Sequence, residues 1–176
     1  DFRRQKNAAA KEEIARRAAA MVGDGETVFL DASSTALHLL PYLLKKKELT
    51  VVTNSFRVID QAKDSKARVY CTGGELSRRN FAFVGRGAER AVAAFCPDTV
   101  FFSSQGVSES GDITDSSEEE TNLRQAAIAA GRRKVFLCDS GKVGKSYLFR
   151  LGAITEMDAV VADGDFPLSL LAGKGD

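Results

Sequence analysis

The fold of this chain is decided by the stretch Val28-Phe29-Leu30-Asp31-Ala32-Ser33-Ser34-Thr35. An apolar run ends in an aspartate, small hydroxyl residues follow, and a leucine-rich segment begins. This profile predicts a buried strand that turns directly into a helix. A helix that starts on Ser33, Ser34 and Thr35 offers free backbone N–H groups and the positive end of its dipole to a phosphate. The same residues also form ordinary N-caps, so this stretch alone does not separate a ligand site from a helix start.

The rest of the chain repeats this alternation of apolar strands and amphipathic helices. A first helix is predicted from a cap at Asn7 to a stop at Gly23, and another begins at the capping box 117–120. A short helix after the second strand is predicted to turn Phe56 and two aliphatic residues inward. The alternation predicts an α/β fold with a mostly parallel sheet covered by helices on both faces. The predicted strands are 27–31, 49–53, 68–71, 99–102, 134–139 and 157–162, with a possible short strand pair around Gly111.

Polar residues and glycines follow these strands. Right-handed crossovers bring the carboxyl ends of parallel strands to one edge of the sheet, which predicts a small-molecule cleft there. Lys142 is either the cation that neutralises a phosphate or carboxylate, or a solvated loop lysine. Asp139 orients Lys142 or a ligand hydroxyl, or caps the following turn. The residues expected at the cleft are Asp31, Ser33, Ser34, Thr35, Asn54, Gly74, Gln105, Asp139 and Lys142.

Composition excludes several classes of protein. The 176 residues include 25 basic and 24 acidic side chains, and the net charge of +1 predicts no nucleic-acid surface on this piece. No apolar run reaches the roughly 20 residues of a membrane span, and no signal peptide is visible. The three cysteines read as reduced core thiols of an intracellular, cytoplasmic protein. No residues at metal-ligand spacing, cofactor motif or catalytic triad are found, so no metal and no cofactor are predicted.

A set of short motifs, in a fixed order, covers nearly the whole chain and resembles the C-terminal sensor domain of DeoR-type bacterial transcription regulators. The resemblance implies a single sensor domain over residues 1–176, similar in fold to ribose-5-phosphate isomerase and CoA transferases. It also implies a phosphorylated sugar or related anion as effector and a homo-oligomer. DNA contact would come only through an N-terminal helix-turn-helix domain that this chain lacks. The chain starts at Asp1 rather than at a methionine, which predicts that it is a fragment or a processed product. The motifs are 30–35, 51–55, 72–76, 84–85 and 139–142.

The resemblance implies specific roles for the residues of the cleft. Ser33, Ser34 and Thr35 would bind the phosphate, Asp31 the sugar, and Lys142 the charge of the ligand. Asn54, Gly74 and Gln105 would form walls of the cleft. The chain departs from the family pattern at Ser33 and in the loop 103–105, where glycine is more usual.

Two other functions fit the same residues. In a sugar-phosphate isomerase, Asp31 or one of Glu118, Glu119 and Glu120 would be the general base, and Lys142 would stabilise an enediolate. In an oligomerisation domain, the cleft would be vestigial and no candidate ligand would change the melting temperature. Turnover of a sugar phosphate would favour the isomerase, and binding without turnover favours the sensor.

Overall fold

The computed structural model describes residues 2–171, with side chains from residue 5 onward. Within that range the chain forms five α-helices and eleven strands. The helices are α1 (Phe2–Ala19), α2 (Ser34–Leu43), α3 (Phe56–Ala62), α4 (Arg86–Ala93) and α5 (Glu118–Ala130). The strands are β1 (Thr27–Leu30), β2 (Thr50–Thr53), β3 (Arg68–Cys71), β4 (Glu75–Ser77), β5 (Ala82–Val84), β6 (Thr99–Phe102), β7 (Gly106–Val107), β8 (Asp112–Asp115), β9 (Arg133–Cys138), β10 (Phe149–Ala153) and β11 (Ala159–Ala162).

The main sheet has six parallel strands in the order β11-β9-β6-β1-β2-β3. The chain builds β1, β2 and β3 outward in one direction, then returns to the other side of β1 for β6, β9 and β11. The direction therefore reverses between β1 and β6. Open α/β sheets bind ligands outside the carboxyl ends of the strands at such a reversal. The predicted α/β architecture is confirmed, and the segment after β1 lies at this point.

Side chains of the main sheet alternate between two separate cores. Val28 and Leu30 of β1 pack in the core that includes residues of α1, α2 and α3. Phe29, between them, packs in the opposite core with residues of α4 and α5. All three are fully buried. Since successive side chains of a strand point to opposite faces, a strand that is apolar at every position is covered on both sides.

Two small antiparallel units follow the carboxyl ends of the main strands. A hairpin of β4 and β5 comes after β3, and its Phe83 N–H donates to the Asn54 carbonyl at the end of β2 (2.8 Å). A three-stranded sheet of order β10-β8-β7 comes after β6. The turn between β7 and β8 contains Gly111, at φ +89°. The predicted strand pair around Gly111 is thus confirmed, whereas the β4–β5 hairpin and β10 were not predicted.

Three sequence predictions are wrong in detail. Asn7 is not a helix cap, because α1 already includes Phe2 and no breaker interrupts the residues between them. Phe56 is 47% exposed and Val58 is buried in its place, since the cap at Ser55 sets the phase of α3. Only one cysteine is a core thiol: Cys138 is buried, whereas Cys71, on the edge strand β3, and Cys96 are exposed.

Candidate functional site

The start of α2 presents unpaired backbone donors. Ser33 is the N-cap, with an extended backbone (φ −75°, ψ 151°), and its Oγ accepts a hydrogen bond from the Ala36 N–H (3.1 Å). The N–H groups of Ser34 and Thr35 have no acceptor among residues 2–171. Free N–H groups at the positive end of a helix dipole favour an anion. The serine at position 33 adds a side-chain cap that glycine would not provide.

Two lysines from distant parts of the chain lie beside this helix start. Lys11 of α1 donates from Nζ to Ser34 Oγ (2.8 Å). Lys142 donates from Nζ to the Ser104 carbonyl (2.8 Å). In the part of the chain that the structure describes, neither Nζ lies within 4.0 Å of a carboxylate oxygen. Two ammonium groups therefore meet here without a paired counter-ion.

The pKa of Lys11 reflects this crowding of positive charge. Burial of the side chain lowers the pKa of Lys11 below the usual lysine value, and the ammonium of Lys142 lowers it further. The carboxylate of Asp139 acts in the opposite direction. An anion bound between the two lysines would stabilise the protonated form of Lys11.

The turn that carries Lys142 is fixed by two aspartates. Asp139 Oδ1 accepts the Gly141 N–H (3.0 Å) and caps the 3-10 turn Ser140–Lys142. Asp163 accepts both the N–H (2.6 Å) and the hydroxyl (2.9 Å) of Ser140. The capping alternative for Asp139 is therefore the one that its observed contacts favour, and its carboxylate remains close enough to influence Lys11.

Asp31 lies beneath the helix start rather than on the surface of the cleft. It is fully buried, and its Oδ1 accepts the N–H (3.1 Å) and the hydroxyl (2.5 Å) of Ser33. Its Oδ2 accepts the Ser103 N–H (3.0 Å) and pairs with Arg124 Nε (2.8 Å). Both oxygens are thus held by protein donors. Asp31 ties the loop after β1 to the loop after β6.

Arg124 of α5 is the centre of a buried ionic network. Besides Asp31, it lies 3.3 Å from Asp115 and 3.6 Å from Glu120, and all four side chains are at most 5% exposed. Burial opposes its charge, yet the carboxylates of Asp31, Asp115 and Glu120 raise the pKa of Arg124 above its usual value. Glu120 also accepts hydrogen bonds from Asn80 of the β4–β5 hairpin (3.0 and 3.2 Å). The network therefore joins α5, the hairpin and the sheet.

Two buried oxygens at this edge find no hydrogen-bond partner in the described part of the chain. They are Asn54 Oδ1, after β2, and Ser103 Oγ, after β6. These two strands flank β1, and both residues are at most 2% exposed. A buried polar atom without a partner costs on the order of 1–3 kcal/mol.

The remaining predicted wall residues are bound within the protein. Gln105 Oε1 accepts the Ser116 N–H (2.7 Å) and links the loop after β6 to the end of β8. Gly74 adopts φ +112°, and a Cβ there would lie 2.6 Å from the Val84 carbonyl oxygen. Glycine at this position therefore lets the hairpin close on itself. Neither observation tests a ligand contact, which remains a prediction for both.

The predicted residues occupy different places at this edge of the sheet. The helix start and the Lys142 turn come together, and Asp31 supports them from below. Asn54 and Gly74 lie farther along the edge, after β2 and β3, whereas Gln105 follows β6, between the strands that carry the helix start and the Lys142 turn. Sequence reasoning missed Lys11, Ser103 and Arg124. Arg124 had a signal, since it interrupts the apolar face of α5 between Leu123 and Ala127. Lys11 had none, because only the packing of α1 brings it to the site.

The described residues contain neither a membrane-spanning nor a metal-binding feature. No helix in residues 2–171 is long and apolar enough to cross a membrane. In the same range no group of three or more histidine, cysteine, aspartate or glutamate side chains could hold a metal ion.

Solved structures with this fold include enzymes and translation factors. Ribose 5-phosphate isomerase A from Methanocaldococcus jannaschii matches with a TM-score of 0.58 and 16% identity, over 78% of this chain and 55% of that one. The eIF2B delta chain from Chaetomium thermophilum matches with a TM-score of 0.62 and 17% identity, over 88% and 55%. At such identities the likeness concerns the fold alone, and it confirms the predicted similarity to ribose-5-phosphate isomerase.

Closer relatives are bacterial regulators. The uncharacterized HTH-type transcriptional regulator YgbI of Escherichia coli (strain K12) is 31% identical over 160 residues, 90% of this chain and 62% of the relative. The glycerol-3-phosphate regulon repressor of the same organism is 27% identical over 92% of this chain and 64% of its own. The lactose phosphotransferase system repressor of Staphylococcus aureus (strain N315) is 32% identical over 88% and 62%.

The chain thus spans somewhat less than two thirds of the length of these relatives. Residues 6–164 match the model of the DeoR C-terminal sensor domain, which covers both the main sheet and the edge where the lysines meet. The resemblance seen in the sequence motifs is confirmed. The chain belongs to the family of DeoR C-terminal sensor domains.

Proposed function

We propose that this domain binds a phosphorylated sugar or a related small anionic metabolite at the start of α2. Binding would control DNA recognition by a helix-turn-helix domain in a longer regulator. The observation that carries the proposal is the pair of lysines, Lys11 and Lys142, that lie close together near the start of α2; among residues 2–171 neither is paired with a carboxylate and the Ser34 and Thr35 N–H groups have no acceptor. Two ammonium groups match the charge of a phosphoryl dianion, and hydrogen bonds to charged groups are the strong ones.

The rest of the ligand would extend along the edge toward β2 and β6. Asn54 Oδ1 and Ser103 Oγ supply buried oxygens that hydroxyl groups of a sugar can satisfy. Asp31 acts in this proposal by holding Ser33 and Ser103 in place, because both of its oxygens are bound by protein donors. The names of two relatives, a glycerol-3-phosphate regulon repressor and a lactose phosphotransferase system repressor, agree with a phosphorylated effector.

A sensor fits the site better than an isomerase does. Of the candidate bases, Asp31 and Glu120 are both buried and paired with Arg124, and their oxygens are already engaged by protein donors rather than free to take a proton from a substrate. Glu118 and Glu119 are exposed in the first turn of α5. The relatives are transcription regulators. We therefore propose a domain that binds its ligand without converting it.

Regulation requires only a modest preference of the ligand for one state of the protein. A tenfold shift between two arrangements of a homo-oligomer needs about 1.4 kcal/mol of differential binding free energy. A single charge-assisted hydrogen bond contributes about 1.5–3 kcal/mol. One phosphoryl contact that forms in only one arrangement is therefore enough to act as a switch.

Calorimetric titration with sugar phosphates and their unphosphorylated counterparts tests the proposal. We expect at least one phosphorylated compound to bind, its neutral counterpart to bind far more weakly, and Lys142→Met to abolish most of the difference. An isomerase assay on the bound compound should show no turnover. A folded protein that binds none of the phosphorylated compounds would refute the assignment, and turnover lost in Lys142→Met would favour the enzyme.

A further inference from the structure

Helix α1 has two halves with different environments. Ile14, Ala15 and Ala18 are fully buried in the core on the α2 side of the sheet. The preceding residues 5–9 are exposed. Lys11 lies at the boundary between the two halves and is partly buried. The second half of α1 is therefore anchored in the core, while the first half depends on surface contacts.

Among the described side chains, the polar contacts of residues 5–11 of α1 are few, and the next residue, Glu12, accepts a hydrogen bond from the Tyr42 hydroxyl of α2. Lys11 donates to Ser34 Oγ, an exposed hydroxyl. One turn earlier, Asn7 lies near the turn that carries Lys142, since a Cβ on Gly141 would be 4.0 Å from Asn7 Oδ1. Lys6 pairs with Asp165 at 3.4 Å, but both side chains are more than half exposed. Exposed ion pairs contribute little to stability, so the Lys6–Asp165 pair adds little to the attachment of this part of α1.

Resting on the proposed function, we propose that Lys11 is a ligand of the effector phosphoryl group, which it binds together with Lys142. The bound anion would then connect α1 to α2 and to the Lys142 turn, and it would fix the first half of α1. Two ammonium groups that repel each other in the free domain would both be neutralised by one dianion. Effector binding and ordering of the first half of α1 thus become one event.

The surrounding charges support a role for Lys11 in binding an anion rather than in structure alone. The one hydrogen bond that its ammonium makes among the described residues is to an exposed serine hydroxyl, and this contact does not require a positive charge. The ammonium of Lys142 lowers the pKa of Lys11 more than the carboxylate of Asp139 raises it. A phosphoryl dianion bound between the two lysines would act on Lys11 in the same direction as Asp139 and would offset the repulsion from Lys142.

Titration calorimetry with inorganic phosphate and glycerol 3-phosphate measures the contribution of Lys11. We expect Lys11→Met to weaken the binding of each bound probe roughly 10- to 100-fold, the range of one charge-assisted hydrogen bond. Lys11→Arg, which keeps the charge, should restore most of the affinity. Lys63→Met is the matched control, because Lys63 is exposed, pairs with Asp60 and lies outside the site; it should bind like the parent.

Hydrogen exchange of the full chain tests the coupling to α1. In the parent, saturating phosphate should slow exchange of amides 5–13. In Lys11→Met, the same fractional saturation should leave their exchange unchanged. If the parent binds no phosphorylated compound, the proposed function fails and this inference fails with it. If the parent binds but Lys11→Met binds within threefold and gains the same protection in α1, only the role of Lys11 is refuted.

Discussion

Replacement of Arg124 by methionine should be among the most damaging single changes to this domain. The guanidinium lies among three carboxylates, and all four side chains are at most 5% exposed. Methionine would leave those carboxylates buried without a cation. Removal of one partner from a buried ion pair costs about 3–5 kcal/mol. That is a large part of the roughly 5–15 kcal/mol by which domains are stable.

Denaturant unfolding of Arg124→Met and of Arg150→Met provides the comparison. Arg150 also pairs with an aspartate, Asp112 at 3.0 Å, but it is 55% exposed. We expect a loss of about 0–1 kcal/mol for Arg150→Met, as for other exposed pairs. For Arg124→Met we expect a loss of about 3–5 kcal/mol and a fall in melting temperature on the order of 6–20 °C.

A double-mutant cycle tests the mechanism behind this loss. Asp31→Asn removes one of the carboxylate charges left behind, so its effect in the Arg124→Met background should be smaller than in the parent. Two effects that add to within about 0.5 kcal/mol would show that the residues do not interact as described. A loss for Arg124→Met no greater than for Arg150→Met would refute the role of the network altogether.

Three further outcomes are expected. Gly74→Ala should destabilise the domain by about 1–3 kcal/mol, because φ at this position is +112° and the added Cβ would lie 2.6 Å from the Val84 carbonyl oxygen. Gly87→Ala in α4 is the control and should not destabilise the domain, because no atom lies within 4 Å of the added Cβ. Thermal unfolding of both variants measures the difference. Ser103→Ala should leave stability unchanged or raise it by up to about 1 kcal/mol, since it removes an unpaired hydroxyl, while calorimetry should show weaker binding of the sugar phosphate. Phosphate affinity should fall as pH rises through the lowered pKa of Lys11, before an ordinary lysine deprotonates, and Lys11→Arg should bind equally well across that range.

The lowered pKa of Lys11 also makes the stability of the fold depend on pH. Because the pKa of Lys11 is lower in the folded domain than in the unfolded chain, the folded state binds fewer protons between those two pKa values. The charged form of Lys11 therefore lowers the free energy of unfolding at neutral pH. This destabilisation disappears as the pH rises from the folded-state pKa of Lys11 toward its unfolded value of 10.5. Bound phosphate should move this rise in the free energy of unfolding to higher pH. Denaturant unfolding at several pH values, with and without phosphate, will detect the shift.

The main sheet could be predicted because its strands carry their own signal. Strands such as β1 and β6 are apolar at consecutive positions, which is typical of a sheet covered on both faces, and polar residues mark their carboxyl ends. The β4–β5 hairpin has no such signal. Its strands are three residues long, and the hairpin is held in place by Asn54 and Phe83 rather than by its own pattern.

The site was predictable only in part for the same reason. Residues that directly follow a strand, such as Ser34 and Lys142, are placed by the strand itself. Lys11 and Arg124 reach the site from helices. Lys11 is 23 residues away from its partner Ser34 in the sequence, and Arg124 is 93 residues away from its partner Asp31. No local pattern encodes such a pairing. Asp31 was found, but its burial beneath Ser33 depends on Arg124 and was therefore not foreseen.

The anchoring of α1 limits the kind of movement that it can transmit. Ile14 and Ala18 are sealed in the core, so the helix cannot swing away from the sheet without exposing that core to water. Any displacement must pivot about these residues, with small shifts at Lys11 enlarged toward Gln5. With the proposed phosphoryl contact at Lys11, such a lever would convert an ångström-scale shift at that residue into a larger change of direction at the beginning of α1.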